Sequence, residues 1–403
     1  MNKESMKVSV VVSALLVGTI AMAGGLESAP MGMVEAPKAV TSNSDWSSKQ
    51  KFFGFSQMGV GFGDGVTTTG DYKFQADRVR LGWKYFSGPL AGKVFLDFAK
   101  SGSDKNGLGV PEVIKDAFIS YKLDDALVVK AGVIKTPVGM GFTIPGWNLD
   151  VIKRGFDKKL AFERAFGVML SGRDMGFGNK GKVNGLEMGH ERPWKGFGYD
   201  LMASGQTGRS GAVINANPGN GSAYMGRLMF DWTEALHLEG SYGVSQEAGG
   251  TNAAKDIKKK VIATTDNEDY KVMNFGIDSH FGKANLKAEY YDVANIRGVK
   301  GWDINTMALT ATYYLTDTLE IAVKDIRGTE TRSGKDATAA NTYIGLSYYI
   351  NPKNNKMSRK AKRGRNRHRV QINYVLADVD EDFKGVGALY KDDAILLQYQ
   401  FKF

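Results

Sequence analysis

No cysteine occurs among the 403 residues, which removes disulfides, thiolate metal sites and cysteine nucleophiles together. Only four histidines are present, His190, His237, His280 and His368. They are too widely separated for metal-ligand spacing or for a serine–histidine pair, so neither a metal, a cofactor nor a catalytic centre is expected. Proline is scarce, with 9 residues against 50 glycines. No apolar run reaches the ~20 residues that a membrane-spanning helix requires. A chain of this kind enters a bilayer only as a closed sheet, because strands in lipid must leave no edge unpaired.

The ending of the chain points the same way. Ile395, Leu397, Tyr399, Phe401 and Phe403 share one parity, and Leu396, Gln398, Gln400 and Lys402 share the other, which is strand periodicity with one apolar face. Such a face suits a wall with lipid outside and water inside. Phe403 on that face looks like the C-terminal signal read by the barrel-assembly machinery. At the other end, Lys3 and Lys7 precede an apolar run from Val8 to Ala21, and Ala21-Met22-Ala23 supplies a small-x-small cleavage site. Residues 1–23 are therefore read as a secretory signal peptide, and the Gly-, Ala-, Ser- and Pro-rich residues 24–49 as a flexible periplasmic tether.

From residue 50 to 403 alternating segments recur between turn residues. Arg78, Arg80, Gly82 and Lys84 oppose Val79, Leu81, Trp83 and Tyr85. The same grammar predicts about 16 antiparallel strands, at 51–63, 72–87, 90–100, 112–123, 127–135, one within 174–190, then 197–205, 222–232, 235–245, 270–281, 284–294, 303–315, 318–328, 341–350, 369–378 and 392–403. The fold class is all-β, a transmembrane antiparallel barrel. Short connectors alternate with long ones around 101–111, 136–172, 206–221, 247–269, 328–340 and 378–391, and short turns on one rim with long loops on the other is the outer-membrane pattern. The longest loop, 136–172, is expected to fold into the lumen as a constriction rather than to hang free. Gly61-Phe-Gly63-Asp-Gly65 ends a strand and precedes threonines instead of a helix, so it is read as a loop and not as a phosphate cradle.

Several short pieces, in order, resemble the phosphate-selective porins (the porin O and P family) over about Asp116 to Phe403. They are Lys130-Ala-Gly-Val-Ile-Lys135-Thr-Pro137, Phe162-Glu163-Arg164, Arg173-Asp174-Met175-Gly176, Tyr224-Met-Gly-Arg227-Leu-Met-Phe-Asp-Trp232, Glu289-Tyr290, Tyr343-Ile-Gly-Leu-Ser-Tyr-Tyr-Ile-Asn-Pro352 and Leu396-Leu-Gln-Tyr-Gln. The resemblance implies a sixteen-stranded barrel, usually a homotrimer, whose third extracellular loop folds inward and whose basic residues conduct anions.

Charge then selects the candidate residues. In a pore, selectivity is set by the groups lining the narrowest part. Arg78, Arg80, Lys84, Lys93, Lys130 and Arg227 fall on the inward parity of their strands and form a candidate basic track, beside inward Asp97, Asp231 and Glu289. The long loop carries Lys153, Arg154, Lys158, Lys159 and Arg164 against Asp150, Asp157 and Glu163. Of these, Lys153, Arg154, Lys158 and Lys159 are expected to face solute, while Glu163 with Arg164 and Arg173 with Asp174 are expected to pair and hold the loop to the wall. The interspersed acids argue against strict phosphate selectivity. Residues 351–369 hold nine basic residues and no acid, and are read as a basic, solvated periplasmic turn.

These observations imply an outer-membrane channel for passive diffusion of small hydrophilic solutes, biased toward anions, with outer-membrane lipid around it and no nucleic-acid partner. The alternative is a structural or adhesive barrel whose conductance is incidental. An outer-membrane hydrolase ranks third, since histidine is so scarce.

Overall fold

The computed structural model describes residues 48–66, 72–99, 113–175, 196–205, 222–246, 254–255, 261–263, 268–350, 368–385 and 389–403, apart from 125 and 234. The strands, in chain order, are β1 (Ser48–Phe62), β2 (Tyr72–Ser87), β3 (Leu90–Asp97), β4 (Ile114–Lys122), β5 (Val128–Lys135), β6 (Arg164–Met175), β7 (Gly196–Gly205), β8 (Ser222–Thr233) and β9 (Leu236–Ser245). A small hairpin, β10 (Ala254–Lys255) with β11 (Val261–Ala263), stands apart from the barrel sheet. Then come β12 (Tyr270–Phe281), β13 (Ala284–Ala294), β14 (Trp302–Tyr314), β15 (Leu319–Arg332), β16 (Lys335–Tyr349), β17 (His368–Val379) and β18 (Ala394–Lys402). Sixteen of these close into one antiparallel barrel in sequence order, with β1 beside β18. Closure leaves no edge, which is what a sheet surrounded by hydrocarbon requires.

Side-chain alternation builds the two faces. Along β14, Trp302, Ile304, Thr306, Ala308, Thr310, Thr312 and Tyr314 are buried inside, while Met307, Leu309 and Tyr313 are exposed outside. On β18, Ile395, Leu397, Tyr399 and Phe401 face outward, and Leu396, Gln398 and Gln400 are buried. Phe403 is also exposed on the outside, and its backbone N–H and C=O both pair with Gly54 of β1.

Three boundaries differ from the sequence expectation. The sixth strand is Arg164–Met175, not a segment within 174–190, so the inward loop ends at residue 163 instead of 172. Phe166 and Leu170 are exposed on the outside of this strand, but Gly167 and Gly172 interrupt the alternation that would have announced it. The expected long loop at 328–340 is a tight turn at Ser333 and Gly334, both with positive φ, because β15 and β16 run on to Arg332 and Lys335. Strands of this length exceed the ~9–11 residues that cross hydrocarbon, and at their far ends the outward face turns polar, with Thr329, Asp336 and Thr338, which disguises them as loop. Arg369, counted with the basic turn, lies in β17 and is buried. The rest of that turn (351–367), the signal peptide, the tether to residue 47 and the connectors 206–221 and 247–253 lie outside the described residues.

The third loop, 136–163, enters the lumen. It contains a four-residue helical turn, Met140–Thr143, and two 3-10 turns, Gly146–Asn148 and Phe156–Leu160. Irregular backbone at membrane depth is tolerated only where protein or water satisfies its polar groups, and inward Asn, Gln and Ser side chains do so here. Gly139 N donates to Ser241 Oγ (3.1 Å), Met140 N to Asn274 Oδ1 (3.2 Å) and Ile152 N to Asn373 Oδ1 (2.7 Å). In return, loop carbonyls of Gly146, Leu149, Asp150 and Leu160 accept from Gln57, Arg369, Gln371 and Tyr270. These partners belong to β1, β9, β12 and β17, so the loop crosses the lumen from one wall to the other.

Apolar contacts complete the seat. Val151, Ile152, Phe156, Leu160 and Phe162 pack in one buried cluster with inward Tyr270, Val272, Tyr291, Ile326 and Tyr343. Gly155 takes φ +101° with Ile326 directly where a Cβ would stand, so the loop both turns and approaches the wall at a residue without a side chain. A second connector reaches in from β17. Phe383 is fully buried, edge to face with Phe156 at 5.9 Å. Lys384 N and Gly385 N both donate to Glu330.

Phe156 therefore joins the loop, the wall and the second connector. Phe156→Ala is expected to weaken the seating by about 3–5 kcal/mol. The expected readout is a larger, noisier single-channel conductance from a barrel that keeps its heat-modifiable gel migration. Wild-type conductance and noise would show that this aromatic contact does not hold the loop.

Candidate conduction pathway and its constriction

A narrow cavity lies between the inward loop and the wall of β13–β15, lined among others by Lys153, Arg154, Lys158, Lys287, Glu289 and Lys324. Most of these charges engage protein groups. Lys153 pairs with Asp77, Lys287 with Asp150, and Lys324 lies 4.0 Å from Asp157. Lys158 Nζ is 2.6 Å from Glu163, and Lys159 is 3.8 Å from the same carboxylate. Arg154 donates to the carbonyls of Gly141 and Ile144 within its own loop. A carbonyl holds a guanidinium in place without cancelling its charge, so Arg154 contributes field where the paired lysines contribute less.

The wall of β1–β4 presents the rest of the basic track. Arg78 donates to Gln57, Arg80 pairs with Asp97 at 2.9 Å, and Lys93 pairs with Asp116 at 2.5 Å. Lys84 stands 4.5 Å above the ring of Phe53. Arg154, Arg78, Arg80 and Arg164 lie close enough to repel one another. Burial, reinforced by those three neighbours, lowers the pKa of Arg154 from 12.5 to about 9, which leaves it charged at neutral pH. Burial likewise brings Lys158 down to about 7, with Glu163 opposing the shift and Lys159 adding to it. For Glu163 burial acts against ionisation, but Lys158, Lys159 and Lys115 outweigh it and hold the carboxyl well below its ordinary range.

Two members of the expected track have a different setting. Arg227 donates to Asp200 (Nε at 3.0 Å) and lies 3.4 Å from Glu239, with all three groups buried. Arg173 forms a forked pair with the same Asp200 at 2.8 and 2.9 Å. His237 sits between Asp231 and Glu239, 3.2 Å from each. Buried Lys130 donates to Ser171 at 3.2 Å. This is a buried network in which each charge has a partner, and breaking one such pair typically costs about 3–5 kcal/mol. Lys130 and Arg227 thus belong to wall structure more than to a solute path.

The expected loop-anchoring pairs are exchanged. Glu163 takes Lys158 and Lys159, Arg164 takes Asp116 at 2.9 Å, and Arg173 takes Asp200. Asp174's side chain lies outside the described residues. Arg164, at the very start of its strand, reaches Asp116 of β4 instead of turning back to Glu163, whose φ is +52°. Lys287 and Lys324 were missed, although Lys287 shares the inward parity of Glu289. Lys115 and Lys135 are buried, and they sit where alternation fails, beside the register shift at Phe95/Leu96 and after Gly132 at φ +128°. No parity rule would have found them. Among the described residues no group of His, Asp and Glu is placed to hold a metal ion.

No family profile and no curated protein matches this chain. Solved structures do. An anion-selective porin from Comamonas acidovorans is 16% identical with a TM-score of 0.57, over 89% of this chain and 100% of that one. OmpT, an outer membrane protein of Vibrio cholerae, is 12% identical with a TM-score of 0.58, over 88% and 98%. The outer membrane channel DcaP of Acinetobacter baumannii is 15% identical with a TM-score of 0.55, over 89% and 99%. At these identities the likeness is one of fold, over nearly the whole of the closed antiparallel barrel.

The lowered pKa of Lys158 gives a pH test. Its charge is present below about pH 7 and lost above it, while Glu163 stays ionised, so Lys158 withdraws one positive charge from the constriction as pH rises from about 6 to about 8. The anion-to-cation permeability ratio is expected to fall over that interval in wild type and to fall less in Lys158→Gln. A ratio that rises with pH, or an equal fall in the variant, would remove Lys158 from the selectivity argument.

Proposed function

We propose that this protein is an outer-membrane channel through which small hydrophilic solutes diffuse passively, with a bias toward anions, phosphate included. The observation that carries the reading is the convergence of Arg78, Arg80, Arg154 and Arg164 at the inward loop, where they repel one another and where Arg78 and Arg154 hydrogen-bond an amide and carbonyls rather than a carboxylate. The exposed apolar outer wall, with Leu228, Phe275, Leu286, Met307 and Ile344 among its residues, supports residence in a bilayer. The N-terminal signal peptide, Phe403 as an assembly signal, and a homotrimer belong to the same reading.

The chemistry is a field along a path and involves no turnover. One charge acting at ~4 Å in water is worth about 1 kcal/mol, roughly fivefold in local ion concentration, and more where the wall excludes water. Acids at Asp97, Asp116 and Asp157 offset part of this, so the bias is modest. The phosphate-selective subtype in particular rests on the sequence resemblance.

A reversal potential measured in a salt gradient across a planar bilayer is expected to show modest anion preference. Arg78→Gln with Arg154→Gln is expected to reduce that preference several-fold, and Lys130→Gln to leave it nearly unchanged. Cation preference in wild type would overturn the anion reading. Absence of any conductance would leave the structural-barrel alternative.

A further inference from the structure

We propose that the lumen carries a recognition site for anions that bear an aromatic ring, aryl carboxylates being the simplest. Trp147 of the inward loop forms it against Phe55 and Phe95, with Arg78, Arg80 and Lys402 around them. This deepens the anion-channel reading and rests on it.

Water-filled lumens are ordinarily lined by polar side chains, yet here rings from β1, β3 and the loop form one continuous face. Phe53 and Phe95 stack at 5.1 Å. Trp147 meets Phe55 at 5.1 Å and Phe95 at 6.5 Å, near perpendicular to both. The phenylalanines are buried, whereas Trp147 remains partly exposed. Seating the loop explains the buried contacts. It does not require cations from β2 and β18 to line the same aromatic face. Lys402 Nζ lies 4.5 Å over Trp147, and the Arg80 guanidinium lies 5.4 and 5.6 Å over Phe55 and Phe95. Arg78 runs alongside Gly146, where an added Cβ would meet its Nε at 3.1 Å. All three cations are partly exposed, as Trp147 is.

The two features select one class of solute. A small inorganic anion uses only the charges. An aryl carboxylate places its carboxylate against Arg78 or Lys402 and its ring against the edge or face of Trp147, an arrangement favoured by the opposed polarity of ring edge and face. Other polar groups near the site, Gln57, Gln400, Asp97 and Asp77, are engaged with Arg78, Arg369, Arg80, Lys153 and one another.

The test compares benzoate with acetate, which share a carboxylate and differ in the ring. Each is titrated against chloride current through the full-length channel, and each is also titrated calorimetrically onto the detergent-solubilised protein. Benzoate is expected to act at a concentration about tenfold lower than acetate in both measurements. Trp147→Phe, which keeps a ring, is expected to preserve that ratio, and Trp147→Leu, which keeps apolar volume, to bring the two anions together. Equal affinity for benzoate and acetate in wild type, or a preference that survives in Trp147→Leu, overturns the proposal. A protein that binds benzoate preferentially but passes no current refutes the channel reading and leaves the site standing.

Discussion

Everything inside this barrel depends on one constraint: a stretch of irregular backbone crosses the lumen, and its buried polar groups must find partners there. The wall answers with Ser241, Asn274, Asn373, Gln57 and Gln371, each hydrogen-bonded to a loop N–H or C=O. Uncharged side chains suit this task. They satisfy a peptide group without adding a net charge to the lumen. Phe156, Leu160 and Phe162 then close the apolar side of the loop against β12–β16. The constriction is therefore a packed core in its own right, and its position is as definite as that of the strands.

That rigidity decides what the charges can do. Where a cation meets a carboxylate, as Arg173 and Arg227 do at Asp200, the result is wall structure and little residual field. Where it meets a carbonyl or an amide, as Arg154 and Arg78 do, it is held with its charge uncancelled. One fold thus sorts its basic residues into two populations by the chemistry of their nearest partners. The second population collects on β2 and the adjoining loop, so the lumen has a charged side. The aromatic rings there serve both as the seat of the loop and as the neutral support for that field.

The barrel itself was written in the sequence. Period-two alternation, as in Ile395 to Phe403 or Met307 to Tyr313, is a local property, and each strand announces its lipid face without reference to any other. Alternation also marked the inward side of Arg78, Arg80, Lys84 and Lys93. It failed where glycines or bulges interrupt it, at Gly167 and Gly172 in β6 and at Gly132 before Lys135, and where strands outgrow the membrane, at Ser333 and Gly334.

Pairing was not legible. Glu163 and Arg164 are adjacent in the chain yet bind different partners, and Asp200, which joins Arg173 to Arg227, is 27 residues from each. Strand registry brings these groups together, and registry is fixed only when the sheet closes and every neighbour is chosen. The same closure puts Trp147 beside Phe55 and Lys402, residues from the two ends of the chain. The sequence by itself determined that a barrel forms and which faces are wet, because those follow from spacing along one strand. Which cations keep their charge and what stands beside them was decided only in three dimensions, because a side chain's partner there depends on segments that meet only after the barrel has closed.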